Sequence, residues 1–189
     1  TELQVQVMAR LKPRAYCGTP SFLKIILDKA AEMKIPVNSL SLGLVGGEAL
    51  PGSLRTELSD SGVDVVQFYG TADLGMVAYE SSAREGMILE EKVIVEIVRP
   101  GTGDPVPEGE VGEIVVTTLS PEYPLIRFAT GDLSAFMSGN SPCGRTNRRI
   151  KGWMGRADQT AKVRGMFVHP SQVASVVSRH AELLRARLV

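Results

Sequence analysis

The sequence predicts an α/β fold: a parallel α/β layer over residues 1–80, then a small antiparallel, barrel-like β unit over 81–157, then the opening of an α+β unit over 158–189. Three observations carry this. Apolar residues at helical spacing alternate with short β-branched runs up to Tyr79, which is the pattern of strands joined by crossover helices. Between Glu91 and Phe136 the period shortens to two and turn residues become dense, which is the pattern of antiparallel strands. Past Gly155 a short strand pair and an amphipathic run follow each other.

In order, Leu3, Val7, Met8 and Leu11 share a helix face until Lys12-Pro13 stops it. Arg14-Ala15-Tyr16-Cys17-Gly18 is a short strand, and Thr19-Pro20-Ser21 supplies a helix start with proline at its first position. That helix is predicted to reach about Met33 and to bury Leu23, Ile26, Leu27, Ala30 and Ala31. Leu40 to Val45 reads as a buried strand ending in Gly46-Gly47-Glu48; Leu50-Pro51 opens a helix through Leu54 and Leu58 that Ser61-Gly62 closes. Val63-Asp64-Val65-Val66 is the next buried strand, delivering the turn Tyr69-Gly70-Thr71-Ala72-Asp73. Strands follow around Val93, Val95 and Ile97, over Val111 to Thr118, and over Leu125 to Phe136, the last broken at Ala129-Thr130-Gly131-Asp132. Lys162 to Val168 is predicted to be a hairpin about Gly165. A helix from Pro170-Ser171 is predicted to line up Val173, Val176, Val177, Leu184 and Leu188.

A chain of 189 residues with 43% hydrophobic and 22% charged residues can bury a core and lies outside the disordered class. No apolar run approaches the roughly 20 residues a bilayer-spanning helix needs, and no signal peptide is visible, so no membrane partner is expected. Cys17 and Cys143 stand apart from one another and from His169 and His180, which argues against a disulfide framework or a zinc site and for a reducing cytoplasm. Residues 145–189 hold ten Lys/Arg against Asp158 and Glu182, a net of +8 that the first 144 residues balance with −8. Such a basic end suits a small anionic ligand or the docking of two oppositely charged halves. Nucleic-acid binding calls for basic residues interleaved with stacking aromatics, and only Trp153 and Phe167 occur in this segment.

The stretch Phe68-Tyr69-Gly70-Thr71-Ala72-Asp73 carries an aromatic face, a glycine, a hydroxyl and a carboxylate at the end of a buried strand. This set suits a nucleotide: a ring to stack a base, a glycine to admit phosphate, and an acid to hold magnesium. Open α/β sheets also bind ligands beyond the carboxyl ends of their strands. There is no P-loop, GxGxxG, HExxH or GxSxG pattern.

Four motifs then occur in order: Gly46-Gly47-Glu48-Ala49-Leu50, Phe68 to Asp73, Arg127-Phe128-Ala129-Thr130-Gly131-Asp132, and Gly155-Arg156-Ala157-Asp158. Together they resemble the adenylate-forming superfamily of acyl-CoA synthetases. Cys143-Gly144-Arg145-Thr146 and Gly18-Thr19-Pro20-Ser21-Phe22 resemble its phenylacetate–coenzyme A ligase branch. The resemblance implies ATP-dependent formation of an acyl-adenylate from a small, aromatic carboxylic acid, then of a coenzyme A thioester with release of AMP. It implies that Gly47, Glu48 and Ala49 line adenine with backbone groups, that Tyr69 stacks on the base among Phe68, Gly70 and Thr71, and that Asp132 accepts the ribose hydroxyls. It further implies that Arg156 reaches ribose or phosphate, that Asp158 is a hinge, and that residues 1–157 are the late part of a large adenylation domain, with 158–189 beginning a lid domain.

The pattern departs from the family in two respects. The family's Tyr-Gly-x-Thr/Ser-Glu becomes Tyr69-Gly70-Thr71-Ala72-Asp73, so the magnesium-holding, catalytic acid is the shorter Asp73. Neither the Ser/Thr/Gly-rich phosphate loop nor the C-terminal lysine of the family has a counterpart, so the chain is expected to be part of a ligase and inactive alone. A nucleotide-binding module without ligase activity and a purely structural interaction domain are the alternatives. The apolar face of residues 173–188 is expected to support self-association.

Overall fold

A computed structural model describes residues 1–159, 161–163, 166–168, 170–180, 182–183 and 186. Helix α1 (Glu2–Leu11) leads into strand β1 (Ala15–Gly18), helix α2 (Pro20–Glu32), strand β2 (Leu42–Val45), helix α3 (Gly52–Asp60) and strand β3 (Asp64–Thr71). Strands β1, β2 and β3 are parallel, with Ala15 opposite Leu42 and Leu42 opposite Asp64. The α/β layer is therefore as the sequence predicts. Apolar residues at i, i+3 and i+7 of α2 (Leu23, Ile26, Ala30) are buried, and Leu23 packs with Leu40, Val45, Leu58, Val63 and Val65 in the core between helices and strands.

Beyond β3 the sheet turns antiparallel. Strands β4 (Gly75–Glu80), β5 (Met87–Leu89), β9 (Phe136–Met137) and β10 (Arg149–Ile150) extend it in the order β1-β2-β3-β4-β5-β10-β9. Strands β6 (Val93–Val98), β7 (Gly112–Thr118) and β8 (Phe128–Ser134) form a second, antiparallel sheet. Tyr69, Val77, Ile88, Val95, Ile97, Ile114, Val116 and Ile150 are all buried, and most of them belong to the core between the two sheets.

Several boundaries differ from the sequence reading, each for a tertiary reason. Strand β3 does not end at Tyr69 but continues through Thr71, because Gly70 and Thr71 pair with Met76 and Gly75 of β4. Strand β4 itself was unforeseen. The break read at Ala129-Thr130-Gly131-Asp132 is an interruption of pairing within one strand: β8 runs from Phe128 to Ser134, but Ala129 faces Val115 and Leu133 faces Glu113, so the register against β7 shifts across Thr130 to Asp132. The residues read as one barrel-like unit contribute to both sheets. At the end of the chain, Ala161–Val163 pairs antiparallel with Met166–Val168 as the predicted hairpin requires. Helix Pro170–Val177 stops well before the predicted end, where Ser178 and Arg179 turn. Gly165, Leu184 and Leu188 lie outside the described residues.

Two polar clasps hold this frame. Arg55 of α3 donates from Nη2 to both carboxylate oxygens of Glu80 at 2.7 and 2.9 Å and from Nη1 to the Val65 carbonyl at 2.9 Å. Glu80 also accepts the Gln67 N–H at 2.7 Å, so α3 is pinned to both β3 and β4. Arg149, only 4% exposed, donates to the carbonyls of Glu85, Ser138 and Asn140 at 2.9, 3.2 and 3.1 Å. A bidentate guanidinium suits both tasks because its donors are fixed in a planar fork. Among the described residues no helix is long and apolar enough to cross a membrane.

The loop that Arg149 gathers carries Cys143, whose Sγ lies 3.1 Å from Ser141 Oγ. Hydrogen bonding from Ser141, then from the Arg145 backbone and Ser81, pulls this thiol down to about 7. Because the folded value lies below the unfolded one, the thiolate contributes stability above the unfolded pKa, and that contribution fades as pH falls through about 7. Alkylation of Cys143 by iodoacetamide is expected to reach half its limiting rate near pH 7, against about 8.5 for an ordinary thiol. Ser141→Ala should move that midpoint upward, as followed by mass spectrometry of the labelled peptide.

Candidate functional site

The site lies where the parallel half of the large sheet meets its antiparallel half. The first wall follows β2. After Val45 the chain runs through Gly46 to Pro51 into α3, and the Glu48 carboxylate accepts the Ser21 N–H at 2.6 Å. Glu48 thereby caps α2 in place of Thr19, whose side chain makes no capping bond, and the cap is favourable because the first N–H groups of a helix lack intrahelical partners. With that side chain turned to α2, Gly47, Glu48 and Ala49 line the cavity.

The second wall is β3 itself, through Gln67, Phe68, Tyr69 and Gly70. The third comes from β8 and the chain after β10, through Asp132, Lys151, Gly152, Trp153 and Arg156. Together they enclose about 560 Å³. Gly131 is part of the construction: it holds φ +72°, and a Cβ there would come within 2.6 Å of Arg156 Nη2. Only glycine combines that backbone with so close an approach.

The Asp132 carboxylate is the centre of the arrangement. Its Oδ2 accepts the Tyr69 hydroxyl at 3.0 Å, and its Oδ1 accepts Trp153 Nε1 at 2.9 Å and Arg156 Nη1 at 3.2 Å. Arg156 also donates to the Thr130 carbonyl at 3.1 Å. Burial, only partly offset by the Thr130 side chain, holds the Tyr69 phenol above its ordinary value, so it stays a donor. The hydrogen bond to Asp132 raises the Arg156 guanidinium further, so it stays charged. Upstream, Thr130 Oγ1 donates to the Ile114 carbonyl at 2.9 Å and the Gly131 N–H donates to Glu113 at 3.1 Å. These bonds fix β8 at its irregular register and so fix where Asp132 stands.

Of the residues singled out from sequence, Gly47, Glu48, Ala49, Phe68, Tyr69, Gly70, Asp132 and Arg156 line this one cavity. Thr71 and Asp73 are not among its lining residues. The Thr71 hydroxyl accepts the Leu74 N–H at 3.1 Å and closes the β3–β4 turn, and Asp73 sits exposed on that turn. Asp158 also lies outside the lining, in a short 3-10 turn (Ala157–Gln159), 3.5 Å from Arg156 Nε. Trp153 and Lys151 line the cavity as well, and the sequence reading assigns neither of them to the site. The available signal was that Trp153 is the one tryptophan of the chain and precedes Gly155-Arg156 by two residues.

The family described as AMP-binding enzyme matches residues 1–120. The chain belongs to that family. Its relatives within the AMP-binding enzymes include the phenylacetate–coenzyme A ligase of Aromatoleum evansii, 32% identical over 97% of this chain and 43% of that protein. The phenylacetate–coenzyme A ligase of Thermus thermophilus is 33% identical over 94% of this chain and 42% of that protein. The chain thus spans less than half the length of these relatives. Among solved structures, an open conformation of 2-hydroxyisobutyryl-CoA ligase, in complex with 2-HIB-AMP and CoA, superposes with a TM-score of 0.84. It is 26% identical and covers 95% of this chain and 44% of that one. An anthranilate CoA ligase at 21% identity and a TM-score of 0.68 shares the fold.

Gly70, on the second wall, leaves no room for even a methyl group. The β3–β4 register shifts at Tyr69/Gly70, and a Cβ on Gly70 would collide with the Gly75 carbonyl. Gly70→Ala is expected to destabilise the chain by about 1–3 kcal/mol and to loosen the second wall. Urea denaturation and hydrogen exchange of the β3 and β4 amides would check this; an unchanged midpoint with unchanged protection would contradict it.

Proposed function

We propose that this chain is the nucleoside-recognising part of an ATP-dependent ligase that forms an aryl- or acyl-CoA thioester through an acyl-adenylate. The observation that carries this reading is the Asp132 carboxylate, held by Tyr69, Trp153 and Arg156 at the wall of a cavity also lined by Gly47, Glu48 and Ala49. A fixed carboxylate is the natural acceptor for a vicinal diol, since both of its oxygens can be addressed at once. In this reading the 47–49 backbone and the Tyr69 ring meet adenine, with Phe68 and Gly70 beside it. Asp132 accepts ribose hydroxyls and Arg156 reaches ribose or phosphate. Thr71, Asp73 and magnesium belong to the phosphate end. Asp73 supplies one carboxylate, which suffices where phosphates and waters complete the octahedron of a magnesium ion. Among the described residues no group of three or more His, Cys, Asp and Glu could hold a metal.

The acid substrate is a small, aromatic carboxylate and the thiol is coenzyme A, as the names of the relatives suggest; the cytoplasm is the compartment where both are at hand. The prediction concerns AMP. Titration of the 189-residue chain should change the emission of Trp153, its single tryptophan, with a matching calorimetric isotherm. Asp132→Asn should weaken AMP binding by about tenfold or more, the size of a hydrogen bond to a charged group. Equal affinity of the two proteins would remove Asp132 from the ribose.

Residues 158–189 form the start of a lid in this reading, turning about Asp158. Pairing with Arg156 at 3.5 Å and 72% side-chain exposure leave Asp158 at a solvent-facing joint. In a full-length ligase carrying this segment, Asp158→Pro fixes φ near −65° and should impair either pyrophosphate exchange or thioester formation far more than the other. Equal loss in both assays would make Asp158 an ordinary contact.

A further inference from the structure

Trp153 occupies an acceptor position that a ribose would need. A carboxylate offers about four acceptor positions, two per oxygen. On Asp132, Oδ1 already takes Trp153 at 2.9 Å and Arg156 at 3.2 Å, while Oδ2 takes Tyr69 at 3.0 Å. A vicinal diol brings two O–H donors that address the two oxygens together. One finds room on Oδ2; the other meets an Oδ1 already supplied.

The three donors differ in how readily they leave. Tyr69 is 7% exposed and belongs to the core between the sheets, so moving its ring would disrupt packing. Arg156 is further tied by the Thr130 carbonyl and by Asp158, and its departure would leave the half-buried Asp132 without a countercharge. Trp153 is 46% exposed, sits on the cavity wall and is neutral. It can yield at the cost of one hydrogen bond, and its freed indole N–H is then satisfied by water.

We propose that Trp153 sets the affinity of the site for ribose: it stands in for one ribose hydroxyl on Asp132 Oδ1 and is displaced when a ribonucleotide binds. This rests on the reading of the cavity as a nucleoside site. The empty carboxylate is kept satisfied and in place by Trp153, and the incoming hydroxyl exchanges with it. The exchange lowers the net gain from that hydroxyl, so the site is set for release as well as capture.

The test is calorimetric titration of the 189-residue chain and its Trp153→Phe variant with AMP, 2′-deoxy-AMP and 3′-deoxy-AMP. Phenylalanine keeps an aromatic face and removes the competing N–H. AMP should bind the variant on the order of tenfold more tightly, the scale of one hydrogen bond to a charged group. The analogue lacking the hydroxyl that addresses Oδ1 should bind both proteins within about twofold, because it leaves Trp153 in place. In the parent, AMP should shift the Trp153 emission more than that analogue does. Equal or weaker AMP binding by the variant would overturn the exchange and make Trp153 a stacking or packing wall. A gain shared equally by AMP and both deoxy analogues would overturn it as well. If the parent binds AMP no better than the Asp132→Asn protein does, the nucleoside reading falls and takes this inference with it; the first two failures leave that reading standing.

Discussion

The interaction on which the rest depends is the triple donation to Asp132. Its carboxylate is only 14% exposed, and a charge so placed costs several kcal/mol unless it is paired and hydrogen-bonded. The donors come from two distant places in the chain: Tyr69 on β3, and Trp153 and Arg156 on the segment after β10. Satisfying one acid therefore ties the large sheet to the small one and fixes the path of the chain toward residue 158. The isolated bridge between Asp132 and Arg156 is the backbone counterpart of the same tie.

The position of the cavity follows from the sheet rather than from any single motif. Strand β3 is parallel to β2 on one side and antiparallel to β4 on the other. The carboxyl end of β2 thus opens outward, where ligands of α/β sheets gather, while β3 continues into a hairpin that walls the opening. Arg55 and Glu80 keep the two walls at a fixed separation, since one carboxylate holds both the α3 guanidinium and the Gln67 N–H. Gly131 lets Arg156 lie against the backbone.

What the sequence revealed, and what it hid, divides along local and distant causes. The start of α2 was legible in Thr19-Pro20, because proline at the first helical position is a local preference. Its cap was not legible: the acceptor is Glu48, 27 residues away. Gly70-Thr71 reads as a turn by composition, yet pairing with β4 makes it strand. Tyr69, Asp132 and Arg156 could be assembled because their motifs resemble a family; their mutual contacts could not. Trp153 carried no pattern of its own, and its place on Asp132 is set by the turn of the chain after β10, which no local window contains.

The charges that line the cavity are not all matched by one another. Among the described residues, four ionisable ones other than Tyr69 line it: Glu48, Asp132, Lys151 and Arg156. Two acids against two bases suggest neutrality, but Glu48 directs its carboxylate to the Ser21 N–H at the start of α2, where the helix dipole already favours negative charge. Asp132 is matched by Arg156. Among the described residues, the lining charge left unmatched is that of Lys151, so the cavity presents a compact cation beside a neutralised pair. A lining of this kind favours an anionic occupant over a neutral one, since the one unmatched charge on it is positive. The cavity thus combines two unlike chemistries: a carboxylate already supplied with three donors, and an ammonium outside that network.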